Sequence, residues 1–75
     1  MTATPRRELA EIVAPYGRRI RLDEMAYDSG MRLLRLTIRE GSRFTILEID
    51  AETAANWGRR MTLWADETRQ QPDQP

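Results

Sequence analysis

The clearest pattern lies in the middle of the chain, where apolar and polar residues alternate on both sides of Gly41-Ser42. A glycine followed by a small polar residue between two such runs is typical of a two-residue β-hairpin turn. The turn also sets the register of the two strands. The predicted facing pairs are Leu34 with Ile49, Leu36 with Leu47, Ile38 with Thr45 and, on the other side of the sheet, Arg35 with Glu48.

A second turn, at Asp28-Ser29-Gly30, predicts a third strand before these two. A three-residue loop with glycine in the left-handed position pairs Ile20 with Ile38 and Leu22 with Leu36. A shorter Ser29-Gly30 turn would move every side chain of the strand to the other face, which would place Arg21 and Asp23 among the leucines. The three-residue turn is therefore favoured, and Tyr27 then pairs with Met31. The apolar face of the sheet holds Ile20, Leu22, Leu34, Leu36, Ile38, Leu47 and Ile49.

A short helix is predicted before the strands. Thr4 is a suitable cap and Pro5 suits the first helical position. Apolar residues then follow at helical spacing, and Pro15 ends the helix near Val13. The residues at this spacing are Leu9, Ile12, Val13 and Tyr16.

A long helix is predicted after the strands, from about Ala51 to Thr68, with Asp50 as its N-cap. Gly58 lies on the apolar stripe of this helix, where we expect it to permit close approach to the sheet. The stripe consists of Ala54, Trp57, Met61, Trp64 and Ala65.

These elements predict an α+β fold of order αβββα, in which a long C-terminal helix packs on one face of a three-stranded antiparallel meander. Trp57 and Trp64 are expected to be buried against Leu34, Leu36 and Leu47. The seven-residue spacing of the tryptophans favours this core role over a ligand site. We place a single domain at residues 5–69 and flexible tails at residues 1–4 and 70–75, where little can be buried.

Composition removes most catalytic chemistry. The 75 residues include no cysteine, histidine or lysine, which excludes disulfides and leaves no plausible zinc or copper site. The groups most easily tuned for acid–base or nucleophilic catalysis at neutral pH are thus missing. Asp23 and Glu24 are adjacent on a strand and point to opposite faces, and Asp50 is explained as a cap. We expect no enzyme, no metal and no cofactor.

Charge and hydropathy limit the partners. The 12 basic residues, all arginine, are balanced by 12 acidic ones, and a net charge near zero disfavours nucleic acid and membrane surfaces. The absence of lysine fits either biased codon usage or selection for contacts that only arginine makes. No apolar run approaches the roughly 20 residues needed to span a bilayer, and the N-terminus has no signal-like stretch. We expect a cytoplasmic protein.

Apolar residues left outside the predicted core point to protein association. Contiguous apolar surface on a soluble protein usually marks an interface. The strand from Phe44 to Ile49 carries one charge and is the less protected sheet edge, so we predict that this edge or its uncovered face meets a partner. The chain is then a small protein-interaction module, as a homodimer or an accessory subunit. The predicted interface residues are Met25, Tyr27, Met31, Leu33, Phe44, Ile46 and Leu63.

The alternative is a nucleic-acid-binding regulator. An exposed aromatic flanked by arginines on a sheet can stack on a single strand and neutralise its phosphates. Asp23 and Glu48 interrupt the basic row, which makes this the weaker hypothesis. The residues it would use are Arg19, Arg21, Arg35, Arg39 and Phe44.

Overall fold

Four antiparallel strands and one long helix make up the protein in the computed structural model, which describes residues 5–70. The strands form a meander in the order β1-β2-β3-β4. The fold is α+β, as predicted, but the sheet has four strands where three were expected. The elements are β1 (Arg6–Val13), a 3-10 turn (Pro15–Gly17), β2 (Arg19–Ala26), β3 (Arg32–Glu40), β4 (Arg43–Ile49) and α1 (Ala51–Arg69). The predicted tails lie outside the described residues, except for Gln70.

The predicted first helix is wrong, because its residues form β1. This strand pairs with β2, and a bulge at Leu9 interrupts the pairing between Glu8 and Ala10. An extra residue in a strand shifts the two-residue alternation by one position. Leu9 and Ile12 are therefore three apart, which imitates helical spacing. As a strand, this segment widens the sheet and does not cover its other face.

Pro15 does end the first element, but it does so inside a tight turn between two strands. The backbone N–H of Ala14 donates to the carbonyl of Arg18 at 2.8 Å. Tyr16 and Gly17 reverse the chain with φ values of 66° and 74°. β2, which the sequence placed at an edge, is consequently an inner strand between β1 and β3.

The register predicted from the two glycine turns is confirmed. Leu36 lies between Leu22 on β2 and Leu47 on β4, and Arg35 lies opposite Glu48. Gly30 and Gly41 both have positive φ, 91° and 61°, which is the conformation that each turn was expected to require of its glycine.

The helix α1 begins where predicted. The side chain of Asp50 accepts a hydrogen bond from the backbone N–H of Thr53 at 2.8 Å, which caps the helix. The apolar stripe faces the sheet only in its first half. Trp57 is 38% exposed and Trp64 is 66% exposed, so the predicted burial of both tryptophans is wrong.

The core of the isolated chain is very small. Among the apolar residues that the structure describes, only Met25 and Ile49 are buried, at 5% and 9% exposure. An added Cβ at Gly58 would meet no atom within 4 Å. The predicted close approach of Gly58 to the sheet is therefore also wrong, and α1 rests loosely on a sheet that it covers only in part.

Candidate functional site

An exposed apolar region joins α1 to the sheet, and we call it the α1-side surface. Its helical part is formed by Trp57, Met61 and Trp64, and its sheet part includes Ile12 on β1 and Leu47 on β4. All five side chains are exposed, Met61 at 60%. Ile12 and Leu47 share the sheet face that α1 overlies, because Ile12 pairs with Ile20 and Leu47 with Leu36. Helix and sheet thus present apolar side chains on the same side of the molecule.

A groove of about 240 Å³ runs between α1 and the sheet. All its walls are apolar side chains or glycine, and none carries a titratable group. It can accept an apolar side chain but offers nothing for acid–base chemistry. The lining residues are Ile12, Ile20, Leu22, Leu34, Leu36, Ile49, Ala54, Trp57, Gly58 and Met61.

The opposite side of the sheet is the open face, over which no helix or strand lies within residues 5–70. Strand pairing places on it Arg19, Arg21, Asp23, Met25, Leu33, Arg35, Arg39, Phe44, Ile46 and Glu48. Its centre is a charge network. One end carries the apolar pair Met25 and Leu33, and the other carries Arg19 and Arg39 beside Phe44. The two faces of one sheet therefore differ sharply in character.

Glu48 binds two neighbouring side chains in the charge network. The hydroxyl of Tyr27 donates to its carboxylate at 2.7 Å, and Arg35 forms an ion pair with it at 2.7 Å. The hydrogen bond from Tyr27, followed by that from Arg35, lowers the pKa of Glu48. The same bond to Glu48 raises the pKa of Tyr27. Glu48 is held ionised and Tyr27 protonated, which suits a structural role and not proton transfer near neutral pH.

Asp23 is the most deeply buried charged residue, at 1% exposure. Its carboxylate pairs with Arg21, whose Nε lies 3.2 Å away, and Arg21 also approaches Glu8 at 3.8 Å. Among the described residues no buried side-chain nitrogen or oxygen lacks a hydrogen-bond partner. No group of three or more carboxylates in residues 5–70 could hold a metal ion. The network is therefore internally satisfied.

The structure does not bring the predicted interface residues into one patch. Met25 and Leu33 face each other near one end of the open face, but Met25 is buried and Leu33 half-buried. Phe44 and Ile46 are exposed neighbours on β4. The hydroxyl of Tyr27 is engaged with Glu48, Met31 is exposed beside the β2–β3 turn, and Leu63 lies exposed on α1.

The arginines of the nucleic-acid hypothesis are mostly paired with carboxylates. Arg19 lies 3.4 Å from Glu11, and Arg21 and Arg35 pair with Asp23 and Glu48. Arg39 instead donates to the carbonyl of Gly41 and stands 5.6 Å from the ring centroid of Phe44. Phosphates would have to displace three ion pairs to reach the first three arginines. Nucleic-acid binding stays a prediction, and this pairing disfavours it.

Sequence reasoning identified Trp57, Met61 and Trp64 as one stripe but assigned the stripe to the core. The width of the sheet would have shown that the stripe is not fully covered. Four strands, each occupying ~4.8 Å of width, cover roughly 19 Å, whereas a helix with its side chains is about 10–12 Å across. One helix cannot cover such a sheet. The width became known only once β1 was placed.

No helix in residues 5–70 combines the length and the apolar composition that crossing a membrane requires.

Comparison with known proteins identifies the family of the chain. No curated protein and no solved structure matches the chain. Residues 4–67 match the model of DUF6967, described as a family of unknown function, and the chain therefore belongs to that family.

Proposed function

We propose that the chain is a non-catalytic protein-interaction module that docks through the α1-side surface. The observation that carries the proposal is the exposure of Trp64 and Met61, at 66% and 60%, beside a half-buried apolar sheet face. Large exposed apolar patches are rare on proteins that act as monomers and usually mark interfaces. Tryptophan is also among the residues that contribute most to binding when buried at an interface.

The small core supports the same proposal. A domain of this size has few sources of stability, and disulfides are excluded because the chain has no cysteine. Burial of apolar surface is worth about 25 cal/mol per Å². Met25 and Ile49 alone supply only a small part of the apolar burial that stabilises a folded domain. Covering the α1-side surface would therefore add to the stability of the fold.

The lack of reactive groups supports the non-catalytic part of the proposal. The groove beneath α1 is lined by apolar groups, and Arg21, Asp23, Arg35 and Glu48 at the centre of the open face are engaged in ion pairs. At about 240 Å³ the groove is also smaller than the roughly 300–1,000 Å³ of typical small-molecule sites. A protein side chain suits it better than a cofactor.

The predicted interface on the open face is the competing docking site. Phe44 and Ile46 are exposed on β4, which is an edge strand as the sequence indicated. They form a smaller apolar group than the α1-side surface, and Arg39 already stacks on Phe44. We therefore favour the α1-side surface and leave β4 as the alternative that experiments must separate.

The test measures the native size of the chain in extracts of the cells that produce it. We expect an epitope-tagged chain to elute well above its 8.8 kDa monomer mass. Trp64→Glu places a charge on the α1-side surface and should shift the chain toward the monomer. Ala55→Glu, at an exposed position on the opposite side of the same helix, is the matched control and should elute like the wild type. Elution of the wild type as a monomer in the extract would show that the chain is not an interaction module.

A further inference from the structure

We infer that the partner on the α1-side surface is a second copy of this chain, and that Trp64 of each copy enters the groove of the other. This inference rests on the proposed function and adds the identity of the partner. It is based on two apolar features of one chain that do not cover each other. These are a helical stripe whose second half is exposed, and a sheet face that one helix covers only in part.

The sheet face has room for a second helix. Its four strands span roughly 19 Å, and one helix of about 10–12 Å covers little more than half of that width. Ile12 on β1 and Leu47 on β4, the two edge strands, remain exposed on this face. A second apolar helix would complete the layer. The chain itself contains the matching element, because α1 is apolar along the stripe that its own sheet leaves uncovered.

The groove has the size and lining for the Trp64 side chain. A dry apolar cavity of about 150 Å³ accommodates benzene, so a groove of about 240 Å³ has room for an indole ring. The groove is lined by α1 only as far as Met61. Trp64 lies one turn further along the same stripe and projects beyond its own groove. In a two-fold arrangement this projecting residue of one chain can enter the groove of the other.

The exposed area agrees with a dimer. At on the order of 200 Å² for a large apolar side chain, the five exposed residues of the α1-side surface amount to roughly 500 Å² per chain, and the half-buried sheet residues beside them add to this area. A standard interface buries about 800 Å² per partner. The surface is therefore large enough for one partner of the same size. The residues counted as exposed are Ile12, Leu47, Trp57, Met61 and Trp64.

Charge permits two copies to meet. The chain carries 12 positive and 12 negative side chains, so two copies do not repel each other at long range. The sheet part and the groove offer apolar surface to the apolar stripe, and no charged residue lines the groove. Gly58 lies in the groove wall with open space in front of it, which leaves the entry of a bulky side chain unobstructed.

The experiment uses the purified full chain in analytical ultracentrifugation. We expect the wild type to have twice the 8.8 kDa monomer mass at micromolar concentration. Trp64→Glu should weaken the dimer by roughly thirtyfold or more, the effect typical of a hot-spot residue. Ala55→Glu, on the opposite side of α1, should leave the dimer intact. Circular dichroism should show both variants folded, because Trp64 and Ala55 are each exposed in the single chain.

A second measurement locates position 64 by covalent trapping, which captures the contact even in a weakened dimer. The chain has no cysteine, so Trp64→Cys and Ile12→Cys can be introduced into two differently tagged chains, mixed and oxidised. We expect a disulfide between the two tags, and none when Ala55→Cys, on the opposite side of α1, replaces Trp64→Cys. Failure of Trp64→Cys to form the disulfide, or equal formation with Ala55→Cys, would overturn the inference.

The outcomes separate this inference from the proposed function. A wild type that is monomeric when purified at high micromolar concentration, but large in the cell extract, would overturn the inference that the partner is a second copy. The proposal that the chain is an interaction module would be retained. A dimer that resists Trp64→Glu and dissociates with Ile46→Lys would place self-association at β4 and would also overturn the inference. A chain that is monomeric in both settings would contradict both proposals.

Discussion

The hydroxyl of Tyr27 and the carboxylate of Glu48 lie 2.7 Å apart, although the residues are 21 positions apart in the chain. The bond joins the end of β2 to β4 across β3, so it fixes the position of an edge strand against an inner one. Arg35 on β3 completes the link by pairing with the same carboxylate at 2.7 Å. Three neighbouring strands are thus tied together through Glu48.

Glu48 should make stability depend on pH in the acid range. The hydrogen bonds from Tyr27 and Arg35 lower its pKa in the folded chain, so the folded state binds fewer protons than the unfolded state below the ordinary pKa of glutamate, about 4.3. The stabilisation is present above that value and is lost as pH falls through the lowered pKa. Melting temperatures from pH 6 to pH 2 should fall more steeply for the wild type than for Glu48→Gln. Equal slopes would show that Glu48 is not preferentially ionised in the folded chain.

Ile49 should contribute far more to folding than its neighbour Ile46. Ile49 is 9% exposed at the end of β4, whereas Ile46 is exposed on the open face. Removal of a buried isoleucine typically costs about 2–5 kcal/mol, through lost burial and an unfilled cavity. Urea unfolding should show a loss in that range for Ile49→Ala and a much smaller one for Ile46→Ala. Similar losses would mean that β4 is buried on both faces in solution.

Substitution of Gly58 tests whether a side chain from a second copy occupies the groove, and it does so from the groove wall and not from Trp64 alone. Alanine is favoured over glycine in a helix by about 1 kcal/mol, and nothing in the single chain lies within 4 Å of the added methyl group. Gly58→Ala should therefore stabilise the monomeric Trp64→Glu variant by up to about 1 kcal/mol. If the wild type is the proposed dimer, the methyl group narrows the occupied groove, so the gain in the wild type should shrink or reverse. An equal gain in both backgrounds would show that nothing enters the groove at Gly58.

Ile46→Lys distinguishes the two candidate interfaces. Ile46 is exposed on the open face, away from the α1-side surface. We expect light scattering to give the same dimer mass for this variant as for the wild type. If Ile46→Lys instead dissociates the dimer, β4 is the interface, as the sequence predicted.

The part of the fold that depends on turns was predictable from the sequence. Gly30 and Gly41 each fix a turn, and each turn fixes which residues face one another, down to the Arg35–Glu48 pair. β1 was not predictable in the same way, because the bulge at Leu9 breaks its alternation. The sequence therefore specified register well wherever the strands were regular.

The candidate site was only half predictable. Periodicity identified the stripe of Trp57, Met61 and Trp64, but it could not say what covers the stripe. The same spacing describes a helix buried within its own chain and a helix buried against another chain. The exposed fractions of Met61 and Trp64 distinguish these cases, and they depend on the tertiary position of α1 relative to the sheet.

The connection between β4 and α1 constrains how two copies can assemble. Asp50 is the single residue between them, and its side chain is already used to cap the helix at Thr53. Exchange of α1 between chains would break this cap and lift the helix off its own sheet, which disfavours domain swapping as the route to a dimer. Association would then occur between chains that are already folded. Mixed dimers should form faster than the chains unfold.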